Sequence, residues 1–342
     1  MPSNVQAMKP TDAAVADLSY AAAVNAALRR ILQEDSRAIL FGEDVGKPGG
    51  VFGVTKGLTA EFGERVFDTP ISETAMLGAA LGSAMTGLRP IVEIMWIDFT
   101  LVAADQIINQ IAKVRYASAG RLAAPLVIRT QQGVLPGACA QHAQNLEALY
   151  AHIPGLRVGI PATAQDAYSM LLAAAHSEDP VLIIENRGLY HTGAQPIEID
   201  GPVPTVGSAS VRREGTDVTL LTWGAIQKHV LEAADALATD GIQAEVIDAR
   251  WLNPFDWDCV YSSVAKTGSL LIVHEANLTG GFGAEVSARV NEELFGKLRR
   301  PVARMGLSDT SIPSAPGLQA ALYPNAQSIA DRVRQMVGSA GK

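Results

Sequence analysis

Short apolar segments alternate with alanine-rich segments of helical length along most of the chain. In the first half the apolar segments predict strands, namely Ala38 to Phe41, Ile91 to Trp96, Pro125 to Arg129, Leu156 to Ile160 and Val181 to Glu185. Helices are predicted near 20–34, 74–86, 99–116, 143–151 and 165–176. Apolar strands separated by helices are typical of a parallel sheet with crossover connections. The pattern therefore predicts an α/β fold with a mainly parallel sheet flanked by helices.

The alternation is interrupted after Glu185 by a stretch rich in proline and glycine, which includes Gly201-Pro202-Val203-Pro204. This composition is typical of connections between domains. Beyond it the predicted strands are Val218 to Thr222, Ala244 to Ile247, Ser269 to His274 and Val302 to Gly306, and the predicted helices lie near 225–239, 255–265, 283–295 and 326–337. A length of 342 residues suits two domains. We predict a flexible tail at 1–16, domains at 17–194 and 208–338, and a linker at 195–207.

Charge and cysteine content argue against several classes of protein. The formal net charge is −8, whereas a nucleic-acid-binding domain is expected to carry a basic patch. Cys139 and Cys259 lie far apart without a CxxC partner, so neither a disulfide framework nor a structural zinc site is expected. We also expect no secretory signal and no membrane span, because the sequence lacks both patterns. A cytoplasmic location is therefore predicted.

An acidic residue follows a strand-like segment in the run Asp68-Thr69-Pro70-Ile71-Ser72-Glu73, directly before a helix rich in glycine and alanine. Two interpretations of Glu73 are open from its position. Its carboxylate either caps the helix, because the unpaired amides and the helix dipole stabilise an acid there, or it takes part in chemistry. The apolar neighbours Ile71, Met76 and Leu77 favour chemistry, because an apolar surrounding helps a carboxyl group to share a proton.

A histidine lies 69 residues after Glu73, in the run Ala140-Gln141-His142-Ala143-Gln144. This run follows a predicted strand, and α/β sheets place their sites in loops after strands. His142 is either satisfied by a backbone partner or exposed in a cleft, and its glutamine neighbours favour the cleft. An imidazole and a carboxylate would form an acid/base pair.

Four segments together resemble the β subunit of thiamine-diphosphate-dependent 2-oxo acid dehydrogenase decarboxylating components. They are Arg65 to Glu73, Gly87 to Glu93, Asp105 to Lys113 and Ala140 to Gln144, and the resemblance extends over roughly residues 18 to 335. It implies a transketolase-like pyrimidine-binding domain followed by a transketolase C-terminal domain. It also implies decarboxylation of a 2-oxo acid, or cleavage of acetoin, followed by reductive acylation of lipoamide.

The resemblance implies roles for individual residues. The glutamate matching Glu73 hydrogen-bonds N1′ of the cofactor's aminopyrimidine ring, and the histidine matching His142 assists acyl transfer to lipoamide. Phe99 is by default a core aromatic, but it matches the residue that packs against the aminopyrimidine ring. Met95 is expected to line the same pocket. A potassium ion is implied at backbone carbonyls that align with Leu126, Ala174, Ser177 and Asp179.

The diphosphate half of such a site is missing from the sequence. In the resembling family Gly-Asp-Gly followed by Asn-Asn holds Mg²⁺ on the diphosphate, and this chain contains no such run. The resemblance therefore implies a separate α subunit that holds Mg²⁺ and shares thiamine diphosphate with this chain. It further implies a heterotetramer of two α and two β chains, which docks to a lipoyl-bearing dihydrolipoyl acyltransferase. The β chain alone is expected to be inert.

Two rival functions stay open at this stage: a non-catalytic transketolase-like assembly subunit, and a stand-alone nucleotide-binding oxidoreductase. The second has little support, because Gly280-Gly281-Phe282-Gly283 lacks the GxGxxG spacing. The pair Glu43-Asp44, at the end of the first strand, either faces the cleft or forms a solvated loop, and the solvated loop is favoured. Glu275 and the loop behind it are interpreted as part of an interface between subunits rather than of the active site. Pyruvate, acetoin and branched-chain 2-oxo acids are not separated as substrates, although residues 49–58 look more like acetoin-cleaving enzymes.

Overall fold

The computed structural model describes residues 15–135 and 137–338. The strands of the first half are β1 (Val15–Leu18), β2 (Ala38–Gly42), β3 (Val66–Asp68), β4 (Arg89–Ile94), β5 (Val127–Gln132), β6 (Arg157–Gly159), β7 (Val181–Asn186) and β8 (Gln195–Glu198). Its α-helices are α1 (Tyr20–Glu34), α2 (Leu58–Phe62), α3 (Glu73–Met85), α4 (Val114–Ala117), α5 (Glu147–Ala151) and α6 (Ala164–Ala175).

The second half has a similar mixture of elements. Its strands are β9 (Ser210–Arg213), β10 (Val218–Thr222), β11 (Ala244–Asp248), β12 (Trp251–Asn253), β13 (Leu270–Asn277) and β14 (Ala303–Leu307). Its α-helices are α7 (Gln227–Thr239), α8 (Trp257–Thr267), α9 (Phe282–Leu294), α10 (Pro316–Leu322) and α11 (Ala326–Gly338).

Two main sheets carry the fold. The first has seven strands in the order β12-β6-β7-β5-β4-β2-β3, and the second has five in the order β14-β13-β10-β11-β9. Neighbouring strands run parallel in both sheets except at one edge each, where β12 and β9 are antiparallel. The predicted α/β class, with two mainly parallel sheets flanked by helices, is confirmed.

Local sequence explains where the helices begin and which face they bury. Ser19 accepts a hydrogen bond from the backbone of Ala22 and so caps α1. Apolar residues spaced three and four apart, including Ala23, Ala27 and Ile31, then bury one side of that helix. The strands β5 and β7 are buried along their whole length, as expected for central strands covered by helices on both faces.

Two predicted helices differ from the structure. The segment predicted as one helix at 99–116 forms a 3₁₀ turn at Ile97–Leu101, a π-helical turn at Gln106–Ile111 and the short α4. The hydroxyl of Thr100 bonds back to the carbonyl oxygen of Ile97, which favours the tighter turn. The helix predicted at 143–151 begins only at Glu147, because the preceding residues are held by contacts from other elements.

The predicted tail and linker contain strands that the sequence pattern did not reveal. Val15 and Ala16 belong to β1, which pairs antiparallel with β8 inside the predicted linker. Residues 1–14 of the predicted tail lie outside the described residues. The strand β12, from the second half of the chain, pairs with β6 at the edge of the first sheet. The two predicted domains are therefore joined through a shared sheet as well as through the chain.

Parallel strands place the ends of β2, β3, β4, β5 and β7 at the same edge of the first sheet. The loops that follow these strands carry the residues discussed below. Within the described residues, no helix combines the length and the hydrophobicity that a membrane span requires. Cys139 and Cys259 are both free thiols.

Candidate active site

Glu73 is the first residue of α3 and is buried, with only 7 % of its surface exposed. The preceding Ser72 makes no side-chain cap to this helix. Among the described residues no group donates a hydrogen bond to the carboxylate of Glu73, so its oxygens stay available to a ligand. The helix dipole stabilises a negative charge at this position. A buried, dipole-stabilised and unpartnered acceptor fits the chemical interpretation of Glu73 better than the capping one.

Glu43 lies beside Glu73, which agrees with the less favoured of its two interpretations. Asp44 is exposed, as predicted, but Glu43 is buried and its Oε1 has no hydrogen-bond partner among the described residues. Burial and then the negative charges of Glu73, Asp44 and Glu93 raise the pKa of Glu43 to about 7. The solvated-loop interpretation is therefore wrong for Glu43, because the chain turns this carboxyl group inward at the end of β2.

An aromatic wall follows the end of β4 and meets the histidine. The rings of Phe99 and His142 meet edge to face, with centroids 5.5 Å apart, and the rings of Trp96 and His142 do so at 6.2 Å. Phe52, from the glycine-rich loop after β2, also packs against Trp96, with the ring centroids 5.3 Å apart. Phe99 also packs against the core, as its default interpretation expects, and its contact with an aminopyrimidine ring stays a prediction. Met95 is half-buried directly before Trp96.

Glu73 and His142 do not form a contact pair. They follow β3 and β5, which are separated in the sheet by β2 and β4. At the usual spacing between neighbouring strands, the two loops start about 14 Å apart. The structure therefore corrects the simple acid/base pair: the two groups can address different parts of one ligand rather than each other.

A chain of buried charges lies beneath this edge of the sheet. Arg129 on β5 donates to Glu93 on β4 at 2.6 Å and to Glu185 on β7 at 2.7 and 2.8 Å. Tyr190 donates to Glu185 as well, and Gln131 donates to Glu93 at 3.0 Å. Burial raises the pKa of Glu93, and the charge of Arg129 partly opposes that effect. The network places fixed charge next to Glu43 and holds three strands in register.

Comparison with known proteins identifies the fold. Residues 16–192 match the transketolase pyrimidine-binding domain, and residues 207–329 match the transketolase C-terminal domain. The chain is 40 % identical over 328 residues to the β subunit of an acetoin:2,6-dichlorophenolindophenol oxidoreductase from Cupriavidus necator, covering 93 % of this chain and 97 % of that protein. It is 39 % identical over 324 residues to the pyruvate dehydrogenase E1 component β subunit of Bacillus subtilis, with 94 % and 99 % covered.

The chain belongs to the family of 2-oxo acid and acetoin dehydrogenase β subunits. A third relative, the 2-oxoisovalerate dehydrogenase β subunit of Bacillus subtilis, is 38 % identical over 321 residues, with 93 % of this chain and 98 % of the relative covered. Among solved structures, an inactive β4 tetramer of a split-gene transketolase superposes with a TM-score of 0.77 at 26 % identity, covering 96 % of this chain and all of the other. The predicted resemblance is confirmed, and the rival assembly-only function is not supported.

The cofactor implied by this family fits the residues of the site. The free carboxylate of Glu73 can accept from a protonated ring nitrogen, and the buried, unpartnered Oε1 of Glu43 leaves polar capacity beside it. The rings of Phe99 and Trp96 offer flat apolar surface for a heterocycle. Within the described part of the chain no group of three or more His, Cys, Asp or Glu side chains could hold a metal ion.

The residues named for potassium lie elsewhere, near the start of β5 and β7. The carbonyl oxygen of Leu126 accepts from the backbone of Val181 at 3.0 Å, and that of Ala174 from the backbone of Ser177 at 3.1 Å. The carbonyl oxygen of Ser177 accepts from Arg89 at 3.2 Å, and that of Asp179 from the Ser177 hydroxyl at 2.9 Å. All four carbonyl oxygens thus already have donors, although each has a second lone pair. The potassium site stays a prediction.

Two expectations about the second domain concern the glycine run at 280–283 and Glu275. The glycines of the run at 280–283 serve packing, because a Cβ on Gly281 or Gly283 would lie 3.1 or 2.9 Å from the ring of His274. Glu275 is half-buried between the two domains of this chain, where Asn186 donates to its carboxylate at 2.9 and 3.2 Å. Its carboxylate is thus engaged within the chain, and a role of this region in an interface between subunits stays a prediction.

Proposed function

We propose that this chain supplies the pyrimidine half of a thiamine diphosphate site in a 2-oxo acid or acetoin dehydrogenase component. The observation that carries the proposal is the buried carboxylate of Glu73, which has no protein donor among the described residues and lies beside Glu43 with its pKa of about 7. Thiamine diphosphate supplies, when bound, the electron sink for breaking the carbon–carbon bond next to a substrate carbonyl.

The chain's own residues divide the remaining tasks. Glu73 accepts a hydrogen bond from the pyrimidine nitrogen and exchanges a proton there, while Glu43 holds a proton nearby at neutral pH. Phe99 and Met95 line the ring pocket, and Trp96 and Phe52 exclude water from it. His142, whose ring contacts Phe99 and Trp96, serves as the proton donor for acyl transfer to a lipoyl acceptor.

The site needs a partner chain. Because relatives covering almost the whole length of this chain are named β subunits, an α subunit is the partner we expect, and it would hold Mg²⁺ and the diphosphate. The inactive β4 tetramer of the split-gene transketolase supports an inert isolated β chain. We further propose a heterotetramer of two α and two β chains, a lipoyl-bearing acyltransferase as acceptor, and a cytoplasmic location.

The substrate class follows from the relatives, which are named for acetoin, pyruvate and 2-oxoisovalerate at 40, 39 and 38 % identity. Such even identities favour none of the three. Turnover of each substrate by this chain mixed with its α subunit would rank them directly.

The proposal is tested by Glu73→Gln in the reconstituted α/β complex with thiamine diphosphate and Mg²⁺. We expect substrate cleavage, followed with an artificial electron acceptor, to fall about 100-fold or more, because glutamine accepts the ring hydrogen bond but cannot exchange the proton. The matched control is Glu64→Gln, an exposed glutamate on the turn before β3, which should retain full activity. Unchanged turnover in the Glu73 variant, or comparable turnover by the isolated chain, would refute the proposal.

A further inference from the structure

His142 lies in the loop formed by residues 133–146, of which Pro136 lies outside the described residues. A buried arginine at the end of another strand holds this loop. Arg187 follows β7 and is only 2 % exposed. Its Nε donates to the carbonyl oxygen of Gly133 at 3.0 Å, and its Nη2 donates to the carbonyl oxygens of Gly133 and of His142 itself. One guanidinium group thus joins the beginning of the loop to the histidine.

The same guanidinium group also fixes the aromatic neighbour of the histidine. The central carbon of the Arg187 guanidinium lies 4.8 Å from the centroid of the Trp96 ring, within cation–π range. Trp96 in turn meets the His142 ring edge on. Arg187 therefore acts on His142 twice, through its backbone oxygen and through the ring that borders it. A planar fork of donors can make both contacts, whereas a lysine ammonium cannot.

A buried carboxylate, that of Asp98, holds the same loop two residues after the histidine. Asp98 accepts from the backbone and side-chain nitrogens of Gln144 at 3.4 and 2.9 Å. Burial lowers the pKa of Arg187, and the negative charge of Asp98 opposes that effect. Arg187 thus holds His142, and Asp98 holds Gln144. The opposite charges of Arg187 and Asp98 also stabilise each other.

The C-terminal domain completes the support. Asn145 donates to the backbone oxygen of Glu275 at 2.8 Å, and the Glu275 carboxylate accepts from Asn186, the neighbour of Arg187. The loop and the strand end that carries Arg187 are therefore tied to the same residue of the other domain.

We propose that Arg187 is a positioning residue, which sets His142 for acyl transfer to the lipoyl acceptor without touching substrate. This inference rests on the function proposed above for His142. It separates the two half-reactions: substrate cleavage depends on Glu73, across the sheet from the loop, whereas acyl transfer depends on the orientation of the His142 ring.

The test uses the reconstituted α/β complex with Arg187→Lys and Arg187→Ala. Substrate cleavage is measured with an artificial electron acceptor, and acyl transfer with a lipoyl domain. We expect acyl transfer to fall about 10- to 100-fold and cleavage to change less than about threefold, because a displaced catalytic group affects only the step it serves. Added ethylguanidinium should restore part of the acyl transfer in Arg187→Ala. Amide hydrogen exchange should rise in residues 137–146 of both variants.

Arg65→Ala is the matched control, because Arg65 makes the same kinds of contact as Arg187. It donates to the backbone oxygens of Asp35 and Ala38. Its guanidinium group also lies over the ring of Phe62, 5.2 Å from the centroid. It does so at the opposite edge of the sheet, so neither half-reaction should change. Equal loss of both half-reactions in both Arg187 variants, or no loss in either, would overturn the inference. Inactivity of the wild-type complex on every substrate would instead overturn the proposed function.

Discussion

At the scale of single residues, the site depends on carboxyl groups whose environment differs from that of surface acids. Glu43 and Glu73 follow neighbouring strands and are both buried at the same edge of the sheet. Burial, and then the negative charge of Glu73, favour the protonated form of Glu43 and raise its pKa to about 7. Glu43 therefore holds a proton up to about neutral pH.

This shift predicts how stability depends on pH. The pKa of Glu43 is raised in the folded chain, so the folded state binds more protons than the unfolded state between about pH 4.5 and about pH 7, and stability falls as pH rises through that range. Glu43→Gln removes the effect. We expect the variant to gain about 2 kcal/mol over wild type between about pH 5 and about pH 8, measured by urea unfolding.

Glu64→Gln serves as the comparison, because it makes the same Glu-to-Gln exchange at an exposed position. Parallel curves for wild type and Glu43→Gln would show that Glu43 is not the titrating acid.

At the scale of elements, the register of three central strands depends on one buried cation. Arg129, Glu93 and Glu185 lie side by side on β5, β4 and β7 and are each at most 3 % exposed. The sequence shows that each of these residues follows an apolar residue in a strand, but it does not show that the three side chains meet. Their pairing follows from the strand order, which brings together residues 36 and 56 positions apart.

Arg129→Met should therefore destabilise the chain by about 3–5 kcal/mol in urea unfolding, because two carboxylates would be left buried without a partner. Arg213→Met offers a contrasting ion pair, since Arg213 on the edge strand β9 bonds to the largely exposed Asp235 on α7. That change should cost less than about 1 kcal/mol. Similar losses in the two variants would contradict the role given to the buried network.

At the scale of the whole molecule, the two domains behave as one unit because the second contributes a strand to the first. Trp251 on β12 pairs with Gly159 on β6, and the largest apolar cluster includes Leu182 and Ile160 from one domain with Trp223 and Ile272 from the other. Arg212 adds an ion pair to Asp166 across the same boundary, while its second partner, Asp248, lies in its own domain. We therefore expect a single cooperative unfolding transition for the chain.

Gly159→Val should break that cooperativity. A Cβ at this position would lie 2.8 Å from the ring of Trp251 and 3.0 Å from Met170, so β12 could not remain in place. We expect a loss of about 1–3 kcal/mol and two separate calorimetric transitions. Gly82→Ala, where an added Cβ on α3 meets nothing within 4 Å, should keep one transition. One transition in the valine variant would mean that the domains are coupled without β12.

The sequence by itself determined the features that depend on neighbours along the chain. Hydrophobic periodicity placed α1, β2 and β10 almost to the residue, and the run around Glu73 together with the loop at His142 indicated the family. These signals are local, since a helix or a strand repeats its apolar positions within a few residues.

Only the tertiary structure decided which polar residues share the site. Glu43 looked like a loop residue, Arg187 carried no sequence signal, and β12 is only three residues long. Burial of a carboxyl group, the reach of a guanidinium group and the pairing of an edge strand all depend on segments distant in sequence. Periodicity carries no information about such contacts, so they appear only when the sheet order is known.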